Sequence, residues 1–218
     1  MKTTSSRNTF GVFGRLMLGG LCLLLASACS SLLPNASQGN PAFYSLDRVR
    51  QGEALVARPL PKQGPSLLVS TPRAAAGFDS QRMIYLRQAH QLEYFARSEW
   101  VDTPARMLSP LIVAAVENSG AFRAVLQTPS SASGELRLDT EILQLQQEFL
   151  GQPSQVRFVL RASLVDAASR RIVTTRDFEG LAKAPSNDPY GGVVAANQAV
   201  QVVLGKLAEF CAEAILVR

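Results

Sequence analysis

The sequence contains few of the residues that build catalytic or metal centres. Its 218 residues include one histidine, one tryptophan and three cysteines. A zinc site on His90 would need Cys211 and carboxylates, and these residues stand at no recognisable ligand spacing. A Ser-His-Asp or Cys-His centre would depend on the same histidine, and no G-x-S-x-G motif is present. This scarcity argues against an enzyme, and we expect no metal and no cofactor.

Two further absences exclude components of a membrane pump. No uncharged apolar run reaches the roughly 20 residues of a membrane-spanning helix. No G-x-x-x-x-G-K-[ST] loop is present, so the chain lacks the phosphate-binding signature of an ATPase. Nucleic acid is not an expected partner either, because basic residues occur only in short pairs such as Arg170-Arg171.

The first 28 residues have the pattern of a secretory signal. Lys2, Arg7 and Arg15 precede an uncharged, leucine-rich run over 16–28. That run is too short to span a bilayer, and small residues follow it. A buried or anchoring helix is the alternative. Removing these residues would lower the formal charge from +5 to +2.

The segment Ala26-Ser27-Ala28-Cys29 resembles the lipobox of bacterial lipoproteins. The resemblance implies cleavage before Cys29 and attachment of acyl chains, such as palmitate, to that cysteine. Several chains anchor a protein stably, whereas a single chain does so only marginally. Ser30, rather than an aspartate, follows the cysteine, and by the same resemblance this favours the outer membrane.

The predicted mature chain has two parts, a tether and a domain. Cys22 falls in the discarded signal and Cys29 carries lipid, so Cys211 remains without an intramolecular disulfide partner. Residues 29–40 contain Pro34 and Gly39 among small polar residues and predict a flexible tether. Residues 41–218 then form one domain, with no internal repeat and no further boundary.

Hydrophobic periodicity predicts an α+β domain with a mainly antiparallel sheet and two packed helices. A one-residue slip after Ile142 predicts a β-bulge. Thr103-Pro104 and Asp188-Pro189 each predict a capped helix start, Gly120 predicts the end of the first helix, and Pro110 predicts a kink or an irregular turn. The predicted strands lie at 43–47, 66–71, 82–87, 91–97, 122–127, 135–150, 155–166 and 171–184.

Four segments together resemble the ABC-type transport auxiliary lipoproteins, the family that includes paraquat-inducible protein C. They are GFDSQRMIYLR, EYFARSEWVDTPARML, LRLDTEILQLQQEF and DPYGGVVAANQAV. The resemblance implies a non-catalytic component of an intermembrane lipid transport system, facing the periplasm from the outer membrane. The implied partners are an MCE-domain periplasmic protein and, through it, an ABC permease and ATPase. A homo-oligomer is left open.

Three aromatic residues are candidates for partner contacts. Trp100 lies in the most specific stretch of the resemblance, and Tyr44 and Tyr85 also fit it. Tryptophan commonly anchors protein interfaces, but a core aromatic packed on the first helix explains Trp100 as well. Asp139 and Glu141 share a strand face, where a solvated surface explains them better than a catalytic pair.

The sequence leaves three alternative functions. The first is a tethered accessory that docks the MCE protein. The second is a periplasmic lipid-binding shuttle that holds acyl chains in its own cavity. The third, an envelope hydrolase, finds least support in the sequence.

Overall fold

The chain folds into one open mixed sheet with two helices packed on it. The computed structural model describes residues 40–47 and 64–216. The predicted α+β class is confirmed. Cys29, the signal and most of the tether lie outside the described residues. The elements are β1 (Ala42–Tyr44), β2 (Ser66–Val69), β3 (Arg73–Ala74), β4 (Arg82–Gln88), β5 (Gln91–Trp100), α1 (Pro104–Ser119), β6 (Ala124–Gln127), β7 (Leu136–Glu148), β8 (Gln155–Asp166), β9 (Ile172–Lys183) and α2 (Pro189–Leu216).

The long strand β7 organises the sheet. One edge pairs antiparallel with β8 from Leu136 to Glu148, and β8 pairs antiparallel with β9. The other edge is shared by three short parallel strands, with β2 at the start, β3 in the middle and β4 at the end. The long pairings are therefore antiparallel, as predicted, while the short strands make the sheet mixed. β6 extends it beyond β2, and β5 and β1 extend it beyond β4.

The predicted bulge is present in β7. Ile142 pairs with Leu160 and Gln144 pairs with Val159, so Leu143 is the extra residue. Because side chains alternate along a strand, one extra residue exchanges the faces of everything that follows. The exchange returns Leu145 to the core, where it is buried beside the helices.

The first helix, α1, begins at Pro104 and ends at Gly120, as predicted. Gly120 adopts a φ of 67°, the left-handed conformation that glycine tolerates best. Thr103 is the N-cap residue, but its hydroxyl makes no capping hydrogen bond; its carbonyl accepts from the amides of Arg106 and Met107 instead. The helix is continuous through Pro110. A proline has no amide hydrogen to donate to the carbonyl four residues earlier, and because Pro110 is exposed, that carbonyl faces water.

The second helix, α2, lies on β8 and β9 and against α1. Asp188 caps it: Oδ1 accepts the Gly191 amide at 2.7 Å. That backbone hydrogen bond holds the pKa of Asp188 below its usual value. Apolar residues along α2 fill the core together with the inward face of β8, the fully buried Phe158, Leu160, Phe210 and Leu207 among them.

Some predicted boundaries needed correction. β1 covers Ala42–Tyr44 and not 43–47, because the backbone leaves the sheet to contact the helices. There the amide of Leu46 lies 3.4 Å from the Met107 sulfur, and the amide of Asp47 donates to Asn197 Oδ1 at 3.0 Å. β5 continues beyond 97 to Trp100, and the two-residue strand β3 was not predicted.

Candidate docking surface at the sheet end

The edge strand β1 presents its two aromatic residues to opposite sides. Tyr44 is half-buried and faces α2, where its ring centre lies 6.5 Å from that of Tyr190. Phe43 points to the face away from the helices and is 59% exposed. The sequence prediction chose Tyr44 as a partner contact, but the neighbouring Phe43 offers the larger apolar surface.

Trp100, the second predicted contact, is a core residue in this structure. It is only 4% exposed, and its amide donates to the carbonyl of Gln81 at 2.7 Å. Trp100 also lines a small cavity, partly open to solvent, with Met83 and Gly192. A partner could reach this side chain only after the sheet end had opened.

Tyr85, the third predicted contact, is the centre of a buried aromatic cluster. Its ring centre lies 4.4 Å from that of Phe95 and 5.7 Å from that of Phe149. Its hydroxyl donates to Glu93 at 2.9 Å, and this hydrogen bond, together with burial, raises the pKa of the tyrosine. The cluster therefore fixes the β4–β5 hairpin against the end of β7.

The cavity beside Trp100 is too small for a lipid chain. Its volume is about 10 Å³, room for roughly one water molecule. Gln147 also lines it, and the Oε1 atom of this buried side chain has no hydrogen-bond partner. Pockets for drug-sized ligands usually measure about 300–1,000 Å³. The described conformation therefore contains at this site no space for the acyl chains of a shuttle.

The groups that could have formed a catalytic centre are placed apart. His90 lies in the β4–β5 turn with a φ of 68°. Cys211 is fully buried in α2, and burial raises the pKa of its thiol to about 12. Among the described residues, no cluster of three histidine, cysteine or acidic side chains could hold a metal ion.

Asp139 takes part in a polar ladder rather than a carboxylate pair. Arg137 binds it through two nitrogens, and the Ser70 hydroxyl donates to it at 2.6 Å. Burial alone would raise the pKa of Asp139, but the hydrogen bonds from Arg137 and Ser70 outweigh this effect and hold it below its usual value.

The ladder continues along the sheet face that points away from the helices. Arg157 binds the buried Glu148 at 2.7 Å and also pairs with Glu179, and Arg161 pairs with Asp177 at 2.8 Å. Strands β7, β8 and β9 thus expose a charged surface.

At the β1–β5–β4 end, the same face carries several exposed apolar side chains together with charged ones. Phe43 pairs in register with Glu99, Glu99 pairs with Arg82, and the Arg82 guanidinium lies 4.8 Å from the centre of the Tyr94 ring. We use the name outer strip for the exposed side chains at this end of the sheet, namely Phe43, Arg82, Leu92, Tyr94 and Val101. Its four apolar members are between 43% and 59% exposed.

Sequence reasoning missed the outer strip. Leu92 and Tyr94 alternate with Glu93, which is a signal for one strand face. Phe43 lies far from this pair in the sequence, so only the strand register brings it beside β5.

One family model matches most of the chain. The family whose members are described as the ABC-type transport auxiliary lipoprotein component matches residues 44–208. The chain belongs to this family. No curated protein sequence matches it. In the described part of the chain, no helix is both long and apolar enough to cross a membrane.

Solved structures share the fold at low sequence identity. Protein XCC0632 from Xanthomonas campestris is 22% identical with a TM-score of 0.64, over 81% of this chain and 95% of its own. An uncharacterized protein is 12% identical with a TM-score of 0.61, over 79% and 99%. The hypothetical protein CT253 from Chlamydia trachomatis is 8% identical with a TM-score of 0.50, over 72% and 100%. At these identities the likeness concerns the fold alone.

Proposed function

We propose that this chain is an outer-membrane lipoprotein, acylated on Cys29, that serves as a non-catalytic docking component of an MCE/ABC-type lipid transport system. The observation that carries the proposal is the family match over residues 44–208, which includes nearly all of the described domain. The family description supports a lipoprotein that works beside an ABC transporter, and an auxiliary component needs no catalytic centre of its own.

The proposed partner is a periplasmic MCE-domain protein, which connects the lipoprotein to an inner-membrane permease and ATPase. A docking role requires a rigid domain with exposed contact surfaces. The packed core and the closely paired β7–β8–β9 ladder supply the rigidity. The outer strip and the charged ladder are two exposed surfaces of different chemistry.

A lipid shuttle is supported less well by this structure. The cavity next to Trp100 would have to enlarge many times before it could enclose an acyl chain. Native mass spectrometry of the purified protein separates the two functions, since a shuttle retains bound phospholipid and a docking component does not.

The direct test is affinity purification of the tagged protein from detergent-solubilised envelope. We expect an MCE-domain protein to be recovered with it. Metabolic labelling with palmitate should label the wild type and leave Cys29→Ser unlabelled. An unlabelled wild type would contradict the anchor, and repeated purification without any MCE protein would contradict the docking role.

A further inference from the structure

The outer strip occupies one end of a sheet face that carries ion pairs over much of β7, β8 and β9, with Leu181 exposed among them. Beyond the strip, this face carries the ion pairs Arg161–Asp177 and Arg137–Asp139. Within the strip, Arg82 lies over the ring of Tyr94 and opposite Glu99. Exposed apolar side chains that gather at one end of a sheet around an arginine are candidates for a contact with another molecule.

The position of the strip in the chain indicates what that contact is. Phe43 belongs to both β1 and the strip, and it follows Cys29 by only 14 positions. Even a fully extended chain of that length reaches no more than about 50 Å. Acyl chains on Cys29 would therefore keep Phe43 within about 50 Å of the bilayer surface, which leaves the strip free to touch it. This step rests on the acylation proposed above.

The chemistry of the strip suits the boundary between lipid headgroups and acyl chains. Phenylalanine and leucine bury their side chains at that boundary, while tyrosine keeps its hydroxyl in the polar layer. Arginine places its apolar stem along such a surface and its guanidinium among the phosphates. The stacked pair Arg82 and Tyr94 presents both kinds of group side by side.

We propose that the outer strip is a membrane-contact surface that lays the end of the sheet formed by β1, β5 and β4 against a phospholipid bilayer. The lipid anchor holds the protein to the membrane, and the strip sets its orientation. In this arrangement the domain has a fixed orientation on the membrane, whereas a flexible tether alone would leave its orientation free.

The test measures the depth of single residues in the membrane. The acylated full-length protein is reconstituted into vesicles of phosphatidylethanolamine and phosphatidylglycerol, with or without brominated acyl chains. Tyr94→Trp and Phe43→Trp probe the strip. Ile172→Trp is the matched control, because Ile172 is 64% exposed but lies at the opposite end of the β8–β9 pair. The wild type gives the background from the buried Trp100.

We expect brominated lipid to quench the two strip tryptophans several-fold more than the control tryptophan, with a blue shift of their emission. Equal quenching at all three positions would overturn the proposal. So would the finding that Tyr94→Asn and Leu92→Asn abolish recovery of an MCE protein while the strip tryptophans remain unquenched, since the strip would then be a protein contact.

The two proposals fail in different ways. Loss of palmitate labelling or of MCE recovery contradicts the proposed function. Normal labelling and recovery together with unquenched strip tryptophans contradict only the membrane-contact surface. Phe43→Trp serves as a second probe if Tyr94→Trp misfolds, and circular dichroism checks each variant.

Discussion

Gly180 in β9 lies so close to Ala199 in α2 that a Cβ at position 180 would stand 2.5 Å from the Ala199 carbonyl oxygen. The contact joins the edge of the sheet to the middle of the long helix. Because a backbone carbonyl cannot rotate away as a side chain can, the helix and the strand would have to separate to make room.

Gly180→Ala should therefore destabilise the protein by about 1–3 kcal/mol, the usual cost of overpacking a core. Urea unfolding followed by circular dichroism measures the change. Gly205→Ala is the matched control in α2, where a new Cβ meets no atom within 4 Å. This variant should gain up to about 1 kcal/mol, because alanine favours a helix over glycine. Equal stability of the two variants would contradict the close packing.

Replacing Arg157 should lower the free energy of unfolding far more than replacing Arg161. Arg157 pairs with Glu148, whose side chain is only 6% exposed, whereas Arg161 and Asp177 are both 46% exposed. A buried carboxylate without its partner typically costs about 3–5 kcal/mol. We expect Arg157→Met to lose stability on this scale in urea unfolding and Arg161→Met to lose little. The reverse order would show that the Glu148 contact is not formed.

The carboxylate of Glu148 also makes the free energy of unfolding depend on pH in the acid range. Burial alone would raise the pKa of Glu148, but hydrogen bonds from Arg157, Gln155 and Gln146 outweigh it and lower the pKa below the ordinary 4.5. A depressed pKa in the folded state stabilises the protein above that ordinary value, and the stabilisation is lost as the pH falls through the folded-state pKa. Wild type should therefore exceed Glu148→Gln in unfolding free energy at neutral pH, and the difference should shrink below pH 4.5. A difference that stays constant across this range would contradict the assignment.

The buried Trp100 provides an optical test of the core. It is the only tryptophan, so intrinsic emission of the wild type reports this residue alone. We expect blue-shifted emission that acrylamide quenches poorly in the native protein, and a red shift in denaturant. Red-shifted native emission would show an exposed ring and would restore the interface role that the sequence suggested.

Cys211 should react slowly with thiol reagents until the protein unfolds. Burial in α2 both blocks access and raises the pKa of the thiol to about 12, so almost no thiolate exists at neutral pH. With Cys22 and Cys29 replaced by alanine, a colorimetric disulfide reagent should modify the denatured chain at once and the native chain hardly at all. Rapid native modification would indicate that the end of α2 opens.

Local signals in the sequence determine much of this fold. The phase slip after Ile142 identified the bulge, and the pairs Thr103-Pro104 and Asp188-Pro189 identified both helix starts, because each feature arises within a few residues. Strand β3 has only two residues and leaves no periodic trace. The end of β1 depends on contacts of Leu46 and Asp47 with helices far along the chain, which no local pattern encodes.

The candidate surface was harder to predict for the same reason. Trp100 and Tyr85 are chemically suited to an interface, yet the structure buries both. Exposure depends on which face of which strand meets the helices, and this follows from the register between β1, β4 and β5. Phe43 became notable only once the register placed it beside Glu99, which pairs with Arg82.

The arrangement of three short strands along one side of β7 has a consequence for how the protein is made. Strands β2, β3 and β4 precede β7 in the chain, and each finds a neighbour there. A polypeptide that emerges amino end first can pair β4 with β5 and β2 with β6, but one edge of β2 and of β4, and the whole of β3, stay unpaired until Leu136 and the residues after it have appeared. Contacts between segments that are far apart in the sequence form slowly, and the unpaired strand edges are prone to aggregation until then. The newborn chain should accordingly depend on a holding chaperone until its central strand is complete.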